Sequence, residues 1–351
     1  MQHILTDETE ETLVLTLSVA RIPFLDFNQK IKLLKNLDNP QSLALQSIED
    51  IYKLSQCQKV KRPFWNGSDN LRMAKAEAFQ CKRLGIKILL YDNPLYPEAL
   101  KQIADPPFLL FVRGNESLLS GRCLSVVGTR RLSTAGREAA KSFAYDAVMD
   151  GCNVVSGLAY GADACAHQGA LNAYYDHASS AEVARTIAVL PCAIDEVVPY
   201  QNKRLAAQIL QSGGCLISEY APGTPTQKRN FVARNRIVAG MSEATVVIEA
   251  PNGSGALITA DFALEEGRDV FFHQVAFGAV AESISQTVKS GLEKDFAAGR
   301  VSKFKLENCP ERFLKEGAPV IKDYKDFCVA LTEMPGMRST GPIQGELFTE
   351  I

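Results

Sequence analysis

Apolar residues follow two rhythms along this chain, and the change between them divides it. Over the first seventy residues they recur at helical spacing, as at Ile31, Leu33, Leu34 and Leu37. The pattern breaks at Asn39-Pro40 and resumes from Leu43 to Leu54. Short helices separated by turns predict a small helical domain over residues 1–69. A connecting segment follows over 70–120, opening with a helix at 70–84 that ends on Gly85 in the cap position. Within it, Ile86–Tyr91 and Phe108–Val112 read as strands joined through Pro94 and Pro97.

From 121 to 330 the rhythm becomes strand, glycine-bearing loop, helix, repeated. Strands are predicted at 124–127, 152–156, 186–190, 215–218, 244–248 and 269–272. Helices are predicted at 134–149, 161–173, 202–211, 231–240 and 257–266. Apolar runs of strand length between amphipathic helices specify an α/β fold, a Rossmann-like, doubly wound, mostly parallel sheet. Such a sheet binds ligands at the carboxyl ends of its strands, near the point where strand order reverses. Insertions near 174–184 and 273–309 interrupt the rhythm, and the second follows the last predicted strand. Residues 331–351 are polar with Gly and Pro and predict a flexible tail.

Composition changes this picture little. An apolar fraction of 46% and a charged fraction of 22% are ordinary for a globular chain of 351 residues. A formal charge of −2 does not announce a nucleic-acid binder, so any such affinity must come from a local basic patch. The nine cysteines form no CxxC pair and no Cys/His cluster of metal-binding spacing. With no secretory signal and no apolar run of bilayer length, they read as reduced residues of a cytoplasmic protein. Cys123, Cys152, Cys192 and Cys215 lie in or beside predicted strands, which predicts burial. Neither a metal nor a cofactor is expected.

The densest candidate chemistry is Ser218–Gly240, where Lys228, Arg229, Arg234 and Arg236 surround Phe231 with no acidic residue after Glu219. Cations hold phosphates and an aromatic ring offers a stacking platform, which is what a single-stranded nucleic acid requires. Alternatively the stretch is a solvated basic face with Phe231 anchoring the helix that runs through Ile237. Gly128-Thr129-Arg130-Arg131 links a strand to a helix that Ser133 or Thr134 caps, a turn that favours an anion. Ser156, Gly157 and Gly161 form the second such turn, and Gly253-Ser254-Gly255 with Thr259 a third. Neither a P-loop nor a GxGxxG fingerprint occurs. Asp163 and His167 are four apart and predict a hydrogen-bonded pair that pins their helix.

Five landmarks follow in order: SVVGTRR at 125–131, VVSGLAYGADACAH at 154–167, ISEYAPGTP at 217–225, NFVARNRIVAGMS at 230–242 and GSGALITADFALEEGRDVF at 253–271. Together they resemble the DNA-processing protein A family (DprA, also called Smf). The resemblance implies a nucleic-acid contact at Arg130, with Arg131 secondary, and a single-strand pocket holding Lys228 and Phe231. Around these, Gly128, Ser156, Gly157, Gly161, Ser254 and Gly255 read as walls of the same cleft, with Arg234 as a further contact and Asn235 either touching DNA or bracing the loop through backbone hydrogen bonds. Tyr160 stands where relatives often carry arginine. A sterile-alpha-motif-like domain at the amino end, a homodimer and the absence of catalytic turnover are also implied. The implied function is to bind single-stranded DNA, protect it during natural transformation and help load the RecA recombinase on it. The rival reading is a nucleotide-binding enzyme or sensor of phosphoribohydrolase type, although PNGSGALITADFALEE lacks the full motif and Glu219 and Glu249 have no evident partner. A third reading is an interaction protein whose insertions have displaced DNA binding.

Overall fold

The computed structural model describes residues 10–61, 63–177 and 184–333. The expected tail from 334 onward and residues 178–183 of the first insertion lie outside these ranges.

Nine strands form one sheet: β1 Lys87–Leu90, β2 Leu109–Gly114, β3 Cys123–Val127, β4 Asn153–Ser156, β5 Thr186–Val189, β6 Cys215–Ser218, β7 Ala244–Val247, β8 Asp269–His273 and β9 Val320–Ile321. Their order is β1-β2-β6-β5-β4-β3-β7-β8-β9. The seven strands from β6 to β9 in that order run parallel, while β1 and β2 add an antiparallel edge. Every residue of β3, β4, β5, β6 and β7 is buried, because helices cover both faces of the sheet. That double burial is why these strands read as unbroken apolar runs. Cys123, Cys152, Cys192 and Cys215 are all buried, and burial pushes their thiols well above the usual range.

The helices are α1 Glu10–Ala20, α2 Phe27–Lys35, α3 Pro40–Leu45, α4 Ile48–Ser55, α5 Gly67–Leu84, α6 Glu98–Lys101, α7 Thr134–Met149, α8 Ala162–Asp176, α9 Lys203–Gln211, α10 Lys228–Ala233, α11 Asn235–Gly240, α12 Gly255–Glu265, α13 Ala279–Ala297, α14 Lys303–Glu307, α15 Pro310–Lys315 and α16 Tyr324–Glu333. One face of the sheet packs against α7, α8 and α16 through Phe143, Phe271 and Phe327. The other packs against α11 and α12 through Ile237, Leu257 and Phe272. A third core runs without a break from Leu17, Ile22 and Ile51 in the amino-terminal helices to Ile88, Phe111 and Leu216 in the sheet.

The apolar rhythm from Leu43 to Leu54 spans two short helices, because Ser47 closes a capping box with Asp50 and starts α4 afresh. Two element predictions need correction. The helix expected at 231–240 begins at Lys228 and is interrupted at Arg234, so Lys228 lies in a first helical turn and not in a loop. The strand at Asp269 is not the last. After α13, α14 and α15 the chain returns to lay β9 parallel to β8, Phe272 opposite Val320.

Candidate nucleic-acid interface

Strand order reverses between β3 and β7. From β3 the chain steps through β4, β5 and β6 on one side, then crosses to β7 and β8 on the other. The loops leaving β3 and β7 at their carboxyl ends therefore diverge, and a cleft opens between them. Its cavity measures about 750 Å³ and is lined from five directions. Gly128, Thr129, Arg130 and Arg131 come from the turn after β3, and Gly157 and Asp163 from the turn after β4 and the start of α8. Phe231, Arg234 and Asn235 come from α10–α11, and Asn252, Ser254 and Gly255 from the loop that starts α12. The fifth side is α13 with α14, which contribute Ile284, Val288 and Lys305.

Arg130 is exposed, and its guanidinium carbon lies 5.9 Å from the centre of the Phe231 ring, a cation–π distance. Two landmarks a hundred residues apart in sequence thus meet at one point. Lys228 does not line the cavity. It is exposed one helical turn before Phe231 and Val232, on the same face of α10, which places it at the rim.

Arg234 belongs to the floor. It is 5% exposed, its Nη1 donates to the Val189 carbonyl, and its Nε has no hydrogen-bond partner. Burial lowers its pKa and the nearby Asp163 carboxylate opposes that shift. Gly157 is needed here, since a Cβ would lie 2.0 Å from Arg234 Nη1. Asn235 donates through Nδ2 to the Gly255 carbonyl at 3.2 Å and ties α11 to the start of α12. Arg236 turns away and forms a bidentate pair with Glu219, 2.7 Å on each arm.

Two predicted wall residues act from behind the surface. Ser156 is fully buried and donates to the Val126 carbonyl at 2.7 Å. Gly161, at φ +80°, packs so closely on the first turn that a Cβ would sit 2.2 Å from the Thr129 carbonyl oxygen. Asp163 and His167 do not pair with each other. Asp163 accepts from Ala159 N at 3.2 Å, and the His167 Nδ1 lies 2.7 Å from the Thr186 hydroxyl. The Thr186 hydroxyl donates to the Val154 carbonyl at 2.8 Å, so His167 is the Nδ1–H donor. Its buried Nε2 has no partner, and burial drives its pKa down to about 3.

The carboxylates of the rival enzyme reading are both engaged. Glu249 is buried and accepts from Ser133 N at 2.9 Å and from the Ser133 hydroxyl, anchoring the start of α7. Glu219 is held by Arg236. Protein carboxylates thus already occupy the amino ends of α7 and α8, through Glu249 and Asp163. The amino end of α12 carries no acidic residue in its first turn and opens on the cavity. Arg130, Arg131, Arg234 and Lys305 face a single carboxylate, Asp163, among the lining side chains. The cleft is a cationic site with an aromatic wall.

The family model for DNA recombination-mediator protein A matches residues 87–331, which include the sheet and every lining residue. The chain belongs to this family. It is 34% identical to the Smf protein of Borreliella burgdorferi over 263 residues, 74% of this chain and 79% of that protein. It is 41% identical to the DNA processing protein DprA of Streptococcus pneumoniae over 180 residues, 50% of this chain and 58% of that protein. Apart from the Borreliella protein, the matched curated relatives are covered over 40% to 60% of their own length. The X-ray structure of the Streptococcus pneumoniae protein superposes with a TM-score of 0.63 at 27% identity, covering 93% of this chain and 99% of that one. The Helicobacter pylori DNA processing protein A shares the fold, with a TM-score of 0.52 at 22% identity over 70% of this chain and 95% of that one. As a DprA/Smf member, this chain is a DNA-processing protein of recombination. Among its described residues no helix is long and apolar enough to cross a membrane.

Sequence reasoning missed the fifth side of the cleft. Ser283, Ile284, Thr287, Val288, Leu292 and Lys305 all come from the segment left unassigned at 273–309. The available signal was the i, i+4, i+8 spacing of Ile284, Val288 and Leu292.

Proposed function

We propose that this cleft binds single-stranded DNA without turnover, with Arg130, Arg131 and Lys228 meeting phosphates and Phe231 stacking a base. The meeting of Arg130 and Phe231 across the switch point is the observation that carries this reading. Lys228 and Arg229 add support, because a helix start disfavours cations and no acidic residue in the first turn of α10 offsets them. Residues that oppose local stability in this way are expected where a polyanion compensates. The Helicobacter pylori relative is known for its single-stranded DNA binding mode, which agrees with the assignment. The engagement of Glu219 and Glu249 by Arg236 and Ser133 supports a binding role over an acid–base one. Within a recombination-mediator family, this chain would act in the cytoplasm as a homodimer, shielding incoming strands and passing them to the RecA recombinase.

Fluorescence anisotropy of labelled single-stranded and duplex oligonucleotides across a salt series tests the cleft. Single strands should bind more tightly, with log affinity falling by about 0.7 per neutralised phosphate for each log unit of salt. Arg130→Ala should flatten that slope. Phe231→Ala should weaken binding by roughly 1–3 kcal/mol at unchanged slope. A folded protein that binds neither form of DNA at low salt rules the reading out.

A further inference from the structure

The segment between β8 and β9 does more than connect two strands. α13 lies across the open side of the cleft and turns Ser283, Ile284, Thr287 and Val288 toward the cavity that Arg130 and Phe231 face. Ile284 and Val288 are half-buried one turn apart, while Leu292, one turn further, is buried. The helix thus presents to the cavity an apolar stripe flanked by hydroxyls, a surface suited to the face and edges of a base.

Its attachment is specific. Gly253 N donates to the Asn308 carbonyl at 2.8 Å, and Asn308 Nδ2 donates to Asp261 of α12 at 2.7 Å. Arg312 pairs with the same Asp261. Gly253, at φ +64°, lets the layers touch, since a Cβ there would lie 2.8 Å from the Lys305 carbonyl oxygen and 3.2 Å from Leu292 Cδ1. The Lys305 stem crosses the glycine at the cavity edge, and among the described residues its ammonium has no acidic partner. Arg234 in the floor keeps a buried Nε without a partner. A cavity of about 750 Å³ falls in the range of roughly 300–1,000 Å³ that holds a small molecule. That is room for one nucleotide unit in a half-open cleft.

We propose that α13 and Lys305 are part of the nucleic-acid site. In this arrangement one nucleotide of the strand is lifted out of its stack, with its base between Phe231 and the Ile284–Val288 stripe. Lys305 meets a phosphate beside it. The inference rests on the single-strand reading above and adds a wall and a cation from the insertion.

The experiment uses the full chain and four variants: Ile284→Ala/Val288→Ala, Lys305→Glu, Phe231→Ala, and Lys289→Ala on the outer face of α13 as control. Each is checked for folding by circular dichroism and titrated with a labelled oligothymidylate across a salt series. The double variant should lose roughly fivefold or more in affinity at unchanged salt slope, as lost apolar contact requires. Lys305→Glu should lower both affinity and slope, the slope by about 0.7 or more. A strand carrying 5-iodouracil should cross-link within 279–305. If Phe231→Ala weakens binding while the double variant and Lys305→Glu match wild type, α13 is not part of the site. If Phe231→Ala also has no effect, the single-strand reading itself fails. If a nucleoside monophosphate binds as tightly as the oligonucleotide, the pocket is a free-nucleotide site and the proposal is overturned.

Discussion

At the scale of single residues, charges in this cleft divide by burial into those that face solvent and those that hold the floor. Arg130 and Lys228 are exposed, whereas Arg234 is closed in beneath Gly157 and faces Asp163. Arg234 is the cation whose field offsets the buried Asp163 carboxylate, so Arg234→Leu leaves that carboxylate uncompensated and should lower stability by about 3 kcal/mol in urea unfolding. A loss below about 0.5 kcal/mol, the ordinary effect of a surface change, would show that the floor does not depend on it. His167 gives a pH signature of its own. Burial depresses its pKa from the ordinary 6.5 to about 3, so the unfolded chain binds a proton that the folded chain does not. Stability from this group is present above pH 6.5 and is lost as pH falls from there toward 3. Asp163 carries the opposite sign, because burial raises its pKa, so the effect must be isolated by comparison. Wild type should lose stability below pH 6.5 more steeply than His167→Asn, by up to about 1.4 kcal/mol per pH unit. Parallel curves in urea titrations at pH 7 and pH 5 would count against it.

At the scale of elements, the strand-to-helix turns were legible from sequence because each joins an apolar run to a small residue. Arg130 and Ser254 were placed on such turns in this way, and both line the cavity. What the turns do to each other was not legible. Gly161 touches no part of the cavity, yet its backbone lies against Thr129 and Arg130 because it has no side chain. Gly161→Ala should therefore act through the neighbouring turn. It is expected to cost more than about 1 kcal/mol, from strain at φ +80° and from displacement of the 129–131 backbone. It should also weaken oligonucleotide binding although residue 161 makes no contact. Unchanged affinity in a folded variant would show that the two turns are independent. The start of α10 escaped prediction for a different reason. Gln227, Lys228 and Arg229 supply no apolar periodicity, and the prolines just before them read as loop. α13 escaped because only one of its nineteen residues, Leu292, is buried. A helix that packs on loops and a cleft leaves a faint amphipathic trace.

At the scale of the whole molecule, the doubly wound sheet was readable because five strands buried on both faces give long apolar runs between helices. Its edges were less readable. β9 is two residues long and follows three intervening α-helices. The amino-terminal helices read as a separate domain, since sequence spacing shows that a face is apolar but not what covers it. Here Leu17, Ile22, Leu33 and Ile51 share one core with Ile88, Phe111 and Leu216. Residues that bury a common surface gain and lose it together, so the helices and the sheet should unfold as one unit despite the length of the chain. Trp65 makes this testable, for it is the one tryptophan in the sequence. Its Nε1 donates to the Gln46 carbonyl at 2.9 Å, and its ring packs against that shared core. Tryptophan fluorescence therefore reports on the amino-terminal helices, while far-ultraviolet circular dichroism reports on the whole chain. The two urea curves should coincide in midpoint and slope. A fluorescence transition at clearly lower urea than the dichroism transition would mean that the helices come away from an intact sheet. In that case the shared core contributes too little to couple them.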